Sequence, residues 1–190
     1  MRLVISDAHE GLKGAIASVM LGAAWQRCRV HFLREVLAKV PRGSAEMVAA
    51  AIRTVFAQPD ATAVSNQLDS IATKLGRQFP DVEAMLRAAA VDICAFAAFP
   101  AAHWKKIWST NPLERVHKEI KRRTNVVGIF PNEAGVIRLA GSVLLEVHDE
   151  WAVAERRYLS EASMAKLYNN DNDGAKRKEV GKKTKELLAS

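Results

Sequence analysis

The stretch Arg2-Leu3-Val4-Ile5-Ser6-Asp7-Ala8-His9-Glu10 decides the fold class of this chain. Its branched apolar run reads as a short buried strand that ends at Asp7. Asp7 then reads as the N-cap of a helix running to about Met20, with Glu10 three residues on in the capping-box position. Trp25-Gln26-Arg27-Cys28-Arg29-Val30 follows as a second strand, and residues His31 to Val40 as a helix stopped by Pro41 and Gly43. Strand, helix and strand in that order make a parallel βαβ unit. Such units belong in sheets with several neighbours. The sequence offers almost no other strands, so the expectation is an α-rich α/β chain whose sheet lacks its front half.

Beyond Ser44 the pattern turns helical. Apolar residues recur at helical spacing through Met47, Ala51 and Val55, then Val64, Leu68, Ile71 and Leu75, then Val82, Met85, Leu86, Ala89 and Ile93. Gln58-Pro59-Asp60 and Gln78-Phe79-Pro80-Asp81 separate these helices, each Pro-Asp pair giving a break and a fresh cap. Phe130-Pro131-Asn132 precedes a long helix from Glu133 to about Tyr158, with Val136, Leu139, Val143, Leu144, Val147 and Trp151 expected inside. The polar, lysine-rich end reads as a flexible basic tail. The resulting division is 1–43 for the βαβ region, 44–100 for a helical insertion, 101–168 for C-terminal helices and 169–190 for the tail.

The second informative stretch is Ser109-Thr110-Asn111-Pro112-Leu113-Glu114-Arg115-Val116-His117-Lys118-Glu119-Ile120-Lys121-Arg122-Arg123-Thr124. Asn111 suits an N-cap, Pro112 the first helical position and Glu114 the third. Helical spacing lines Glu114, His117, Lys118 and Lys121 along one face and Leu113, Val116, Ile120 and Val127 along the other. A carboxylate able to hold a metal beside cations able to hold phosphates is what a phosphodiester-processing enzyme needs. The simpler alternative is that Glu114 closes a capping box over Asn111.

Charge location favours a polyanionic partner. Residues 104–125 hold seven Lys or Arg against two Glu, and residues from Asn170 hold six against four acids. The whole net charge of +7 therefore sits in these two segments. Basic charge focused on one helix reads as a nucleic-acid contact rather than a generally solvated surface. No apolar run approaches the ~20 residues of a membrane span, and no signal-peptide pattern precedes the acidic residues near the start. Two cysteines, Cys28 and Cys94, make no disulfide framework, which points to a reducing cytoplasm.

Three pieces together resemble the C-terminal part of the Mutator-type DDE transposases, a family of bacterial insertion sequences with plant relatives. They are Leu3-Val4-Ile5-Ser6-Asp7-Ala8-His9-Glu10-Gly11-Leu12, then Gln26-Arg27-Cys28-Arg29-Val30-His31, then Ser109 to Arg115 continuing through Arg122-Arg123-Thr124 to Gly128-Ile129-Phe130-Pro131-Asn132. The resemblance implies a partial ribonuclease-H-like core with an all-helical insertion between the second catalytic Asp and the catalytic Glu. Those positions here are Asp7 and Glu114, 107 residues apart. It places the family's first catalytic Asp upstream of Met1. It also implies a two-metal magnesium site, strand cleavage and transfer on element terminal repeats and target DNA, homo-oligomerisation of the complete enzyme, and a cytoplasmic, nucleoid-associated location. Two metal ions clamp the attacking and leaving oxygens of an in-line phosphoryl displacement, and magnesium takes hard oxygen ligands, so carboxylates serve where thiols do not.

Arg115, Lys118, Lys121, Arg122 and Arg123 are the expected DNA-backbone contacts, supplying position and salt-dependent affinity rather than sequence choice. Cys28 and His31, a C-x-x-H pair that the family shares, have two readings: a packed thiol with a hydrogen-bonded imidazole near the site, or part of a zinc site completed by Cys94 and His103. Trp104 and Trp108 flank Lys105-Lys106 and either stack on an unpaired base or pack in the core. Two functions from different classes follow: a metal-dependent transposase, here lacking the first Asp and inactive alone, or a non-catalytic DNA-binding or oligomerising inhibitor from a decayed copy.

Overall fold

Val4 and Ile5 are β-formers, and they sit in the strand β1 (Leu3–Ser6) of the computed structural model, which describes residues 1–154 and 158–167. The helix α1 (Glu10–Val19) carries the chain across to β2 (Ala24–Arg27), which pairs with β1 in parallel. Leu3 lies opposite Ala24, and Ser6 opposite Arg27. The expected βαβ unit is present, and the described residues hold a two-stranded sheet.

Its boundaries differ from the sequence reading in ways that matter for Asp7. The Cys28 N–H donates to the Ser6 carbonyl at 2.7 Å, which continues the ladder past β1 and keeps the chain extended there. Helix α1 starts only at Glu10, with His9 as an N-cap that makes no side-chain bond, so Asp7 caps nothing and Glu10 closes no capping box. Strand β2 ends at Arg27 rather than Val30. The Cys28 carbonyl already accepts from the Phe32 N–H at 3.0 Å, which starts α2 (Arg29–Leu37) two residues earlier than the spacing predicts.

The helical region follows the predicted breaks. It comprises α3 (Arg42–Val55), α4 (Ala61–Gly76), α5 (Pro80–Ile93), a short 3-10 turn (Ala95–Ala98) and α6 (Ala101–Ile107). Asp60 caps α4 by accepting from the Ala63 N–H at 2.8 Å, and Pro80 occupies the first turn of α5, where its missing N–H costs nothing. Val48, Ile52, Val64, Leu68, Val82 and Leu86 fill the core between these helices. Met47 lies one position off the buried stripe of α3 and is exposed, with Val48 taking its place. Phe56, Phe96, Trp104 and Trp108 form an aromatic cluster with ring centroids 5.1 to 5.8 Å apart.

Two compact units result. One is Met1–Ser109 together with the described residues from Leu159, where residues 161–167 are helical; the other is Thr110–Tyr158. The second unit is a hairpin of α7 (Asn111–Val127) and α8 (Glu133–Val153). Gly128 ends α7 at φ +74°, a backbone geometry that L side chains resist. Asn132 caps α8 by accepting from the Gly135 N–H at 2.9 Å. The interior expected for α8 is only partly real: Val143 is buried and Leu139 and Val147 are half-buried, but Val136, Leu144 and Trp151 are exposed. A two-helix hairpin has too little opposing surface to cover an apolar stripe that wide. Among the described residues no helix is long and apolar enough to cross a membrane. The expected flexible tail at 169–190 lies outside the described residues.

Candidate carboxylates and nucleic-acid interface

Asp7 follows directly on the end of β1, in the extended segment before α1, and its side chain is exposed. Its backbone is held while its carboxylate is left uncommitted among the described residues. The Trp25 indole N–H donates to Ser6 Oγ at 2.8 Å, and Ser6 Oγ donates to the Asp7 carbonyl at 2.8 Å. Lys13 on α1 braces the far side of this relay. Its ammonium stands 4.5 Å from the Trp25 ring centroid and 3.3 Å from Asp92 Oδ2. The carboxylate oxygens of Asp7 make no hydrogen bond or ion pair among the described residues. A carboxylate at the carboxyl end of a parallel strand, freed from capping, is available to a ligand.

Glu114 is on the first turn of α7, one position later than the spacing predicts. The N-cap is Thr110, Asn111 is the first helical residue, and the Glu114 N–H donates to the Thr110 carbonyl at 3.0 Å. No side-chain cap bond forms, so Asn111 is not the cap the sequence suggested. The physical reason is Pro112. It has no N–H to offer, and the helix can begin one residue earlier, with Thr110 as the flanking residue, while Pro112 stays in the first turn.

The five basic residues of α7 divide into two groups. Arg115, Lys118 and Lys121 are exposed and make no ion pair among the described residues. Arg122 and Arg123 both reach Glu119, at 2.7 and 2.9 Å, and Arg123 also reaches Glu146 of α8 at 2.7 Å. Hydrogen bonds from these two guanidinium groups pull the Glu119 carboxyl from its ordinary 4.5 down to about 2. The Arg123–Glu146 pair ties the two helices of the hairpin together. Sequence spacing alone did not separate these groups, although a Glu three and four residues before two arginines was the available signal.

Cys28 is fully buried as the N-cap of α2, wedged between the end of β1 and the first turn of the helix. Both cysteines are thiols, and burial pushes the Cys94 thiol up to about 12. Trp104 and Trp108 are buried core, with the Trp104 indole donating to the Phe99 carbonyl at 2.7 Å and Arg29 lying 3.9 Å over the Trp108 ring. Neither ring is open to a base, so the packing alternative holds for both. One functional support went unread in the sequence. Gln26 is fully buried in β2, donates to the Arg27 and Ile93 carbonyls at 2.8 and 2.9 Å, and accepts from the Phe96 N–H at 2.7 Å.

Comparison with known proteins supplies what geometry alone does not. The family described as "Transposase, Mutator family" matches residues 1–154. The chain belongs to that family. This Mutator-family chain is 47% identical over 157 residues to the transposase for insertion sequence element IS1081 of Mycobacterium tuberculosis, covering 83% of the chain and 38% of that relative. It is 36% identical over 156 residues to the transposase for ISRM5 of Rhizobium meliloti, covering 82% and 39%. To the transposase for IS256 in transposon Tn4001 of Staphylococcus aureus it is 33% identical over 164 residues, covering 83% and 41%. The Mutator-family chain thus spans about two-fifths of the length of these relatives, and the family match takes in β1, α7 and all of α8.

Proposed function

We propose that this chain is part of a DDE transposase with a ribonuclease-H-like core, in which Asp7 and Glu114 are two of the catalytic carboxylates and α7 is a DNA contact. The observation that carries the reading is the makeup of α7 within a Mutator-family match: Glu114 in its first turn, and Arg115, Lys118 and Lys121 along the same helix with no ion pair among the described residues.

Magnesium fits the donor set, because both residues offer hard oxygen ligands and the Asp7 carboxylate is exposed, with no partner among the described residues. When bound, the metal would supply Lewis-acid stabilisation of the oxygens that attack and leave a DNA phosphate. The protein's own work is to hold and place. Arg115, Lys118 and Lys121 neutralise backbone phosphates and release counterions, which fixes the strand without choosing its sequence. Arg122 and Arg123 serve the hairpin first and contribute less to DNA. The reaction is attack on a phosphodiester by water and then by a 3′-hydroxyl, with no covalent protein intermediate. DNA ends of the element, target DNA and further copies of the enzyme are the partners.

Two measurements test this. Lys118→Ala and Lys121→Ala should weaken binding alike for unrelated duplexes and lower the slope of log affinity against log salt by about one each. An unchanged slope leaves α7 a solvated surface. In a complete transposase carrying these residues, Asp7→Asn and Glu114→Gln should abolish strand transfer with folding intact; near-normal transfer removes that residue from the site.

A further inference from the structure

The hairpin carries a cleft that the proposed chemistry does not use. It lies between the first turn of α7 and the last turns of α8, encloses about 600 Å³, and is walled by Pro112, Val116 and Val147. Such a volume is in the range of small-ligand sites. Trp151 and Tyr158 line it, and both are more than half exposed, Trp151 at 63%. Arg115, Glu119 and Glu150 are the charged residues of its lining. Glu119 is engaged by Arg122 and Arg123, whereas Arg115 and Glu150 make no ion pair among the described residues.

We infer that this cleft takes one unpaired nucleobase of the bound DNA, stacked on the Trp151 indole. The inference rests on DNA being the ligand of α7. Charge and shape select the occupant. The Glu150 carboxylate in the lining, with no ion pair among the described residues, disfavours a phosphate. A purely apolar helix laid into the cleft would bury Arg115 and Glu150 without partners, which is costly. A base has two apolar faces for aromatic and proline walls, and its edge carries both amino donors for Glu150 and carbonyl or ring-nitrogen acceptors for Arg115. Arg115 lines the cleft and adjoins Glu114 in sequence, while Lys118 lies one turn further along α7. A strand held by those cations therefore passes the mouth of the cleft, and the captured base belongs to a nucleotide near Glu114. Trp104 and Trp108, for which stacking on a base was one of two sequence alternatives, are buried; the exposed indole of the described residues is Trp151.

The test uses the full chain and a duplex ending in one unpaired 2-aminopurine, compared with the same duplex blunt. Binding should quench the 2-aminopurine fluorescence, and the unpaired end should be held about ten-fold tighter than the blunt one, the size expected of one base–aromatic stack. Trp151→Ala should lower the affinity for the unpaired end to that of the blunt duplex, and Trp151→Phe should retain part of the gain. Circular dichroism of both variants checks that the hairpin persists. Equal affinity for the two ends without quenching overturns the inference and leaves the DNA contact of α7 standing. Loss of all duplex binding at low salt overturns both. A Trp151→Ala chain that dissociates from dimer to monomer in sedimentation, with the base preference intact, assigns the cleft to a second copy and overturns the inference as well.

Discussion

Gln26 shows how one polar side chain fixes the sheet against the helices. Its amide nitrogen donates to the carbonyl of Ile93, the last residue of α5, and its oxygen accepts from the Phe96 N–H at the start of the 3-10 turn that follows. These are main-chain groups at a helix terminus that would otherwise lack partners in a buried place. Gln26 lies opposite Ile5 in the sheet, so the same residue joins the strand leading to Asp7 to the aromatic cluster around Phe96. Replacing it with alanine leaves two buried backbone groups unsatisfied. Gln26→Ala should therefore lower stability by about 3 kcal/mol, read as a lower denaturation midpoint in urea with an unchanged slope. A loss under about 1 kcal/mol would mean that water satisfies both groups. A glutamine inside a strand gave no sign of this in the sequence, because its partners are 67 and 70 residues away.

At the scale of elements, α7 and α8 show what periodicity reveals and where it stops. The helical run of α7, its acidic first turn and its basic face were all legible, since each depends on spacing within seventeen residues. The cap was misplaced by one residue because Thr110 and Asn111 both suit the position. The burial of Trp151 was misjudged for a different reason: an apolar stripe states that a face prefers cover, and only the neighbouring chain decides whether cover exists. Cross-helix ion pairs were likewise invisible, since Glu146 lies 23 residues from Arg123. Their consequence is a pH dependence with a definite sign. Hydrogen bonds from Arg122 and Arg123 hold the Glu119 carboxyl at about 2 against an ordinary 4.5. The folded state thus binds fewer protons between those values, and the hairpin's share of this stabilisation is complete above about pH 4.5 and lost as pH falls toward 2. Because the pair is exposed, salt should weaken it. A carboxyl carbon NMR titration should place the Glu119 midpoint near 2 and move it upward in Arg123→Gln. A midpoint near 4.5 in the unaltered chain would dissolve the network.

At the scale of the molecule, affinity and chemistry separate. The proposed backbone contacts by Arg115, Lys118 and Lys121 would need no metal, and these residues belong to a hairpin whose caps and cross-helix pairs lie within Thr110–Tyr158. Phosphoryl transfer asks for more. Two magnesium ions about 3.5–4 Å apart each want close to six oxygen ligands, and the DDE reading proposed above counts Asp7 and Glu114 as two of three carboxylates. The relatives extend well beyond the matched region, which is 38% of the M. tuberculosis transposase. The expected outcome is salt-sensitive DNA binding by residues 1–190 without cleavage, at any magnesium or manganese concentration. Incubating the purified chain with a supercoiled plasmid that carries terminal repeats measures both. Metal-dependent nicking that disappears on Glu114→Gln would show that two carboxylates suffice. If the third carboxylate is what limits the reaction, joining the chain to the part of such a relative outside the match should restore cleavage, and Asp7→Asn should abolish it again while leaving DNA binding within two-fold.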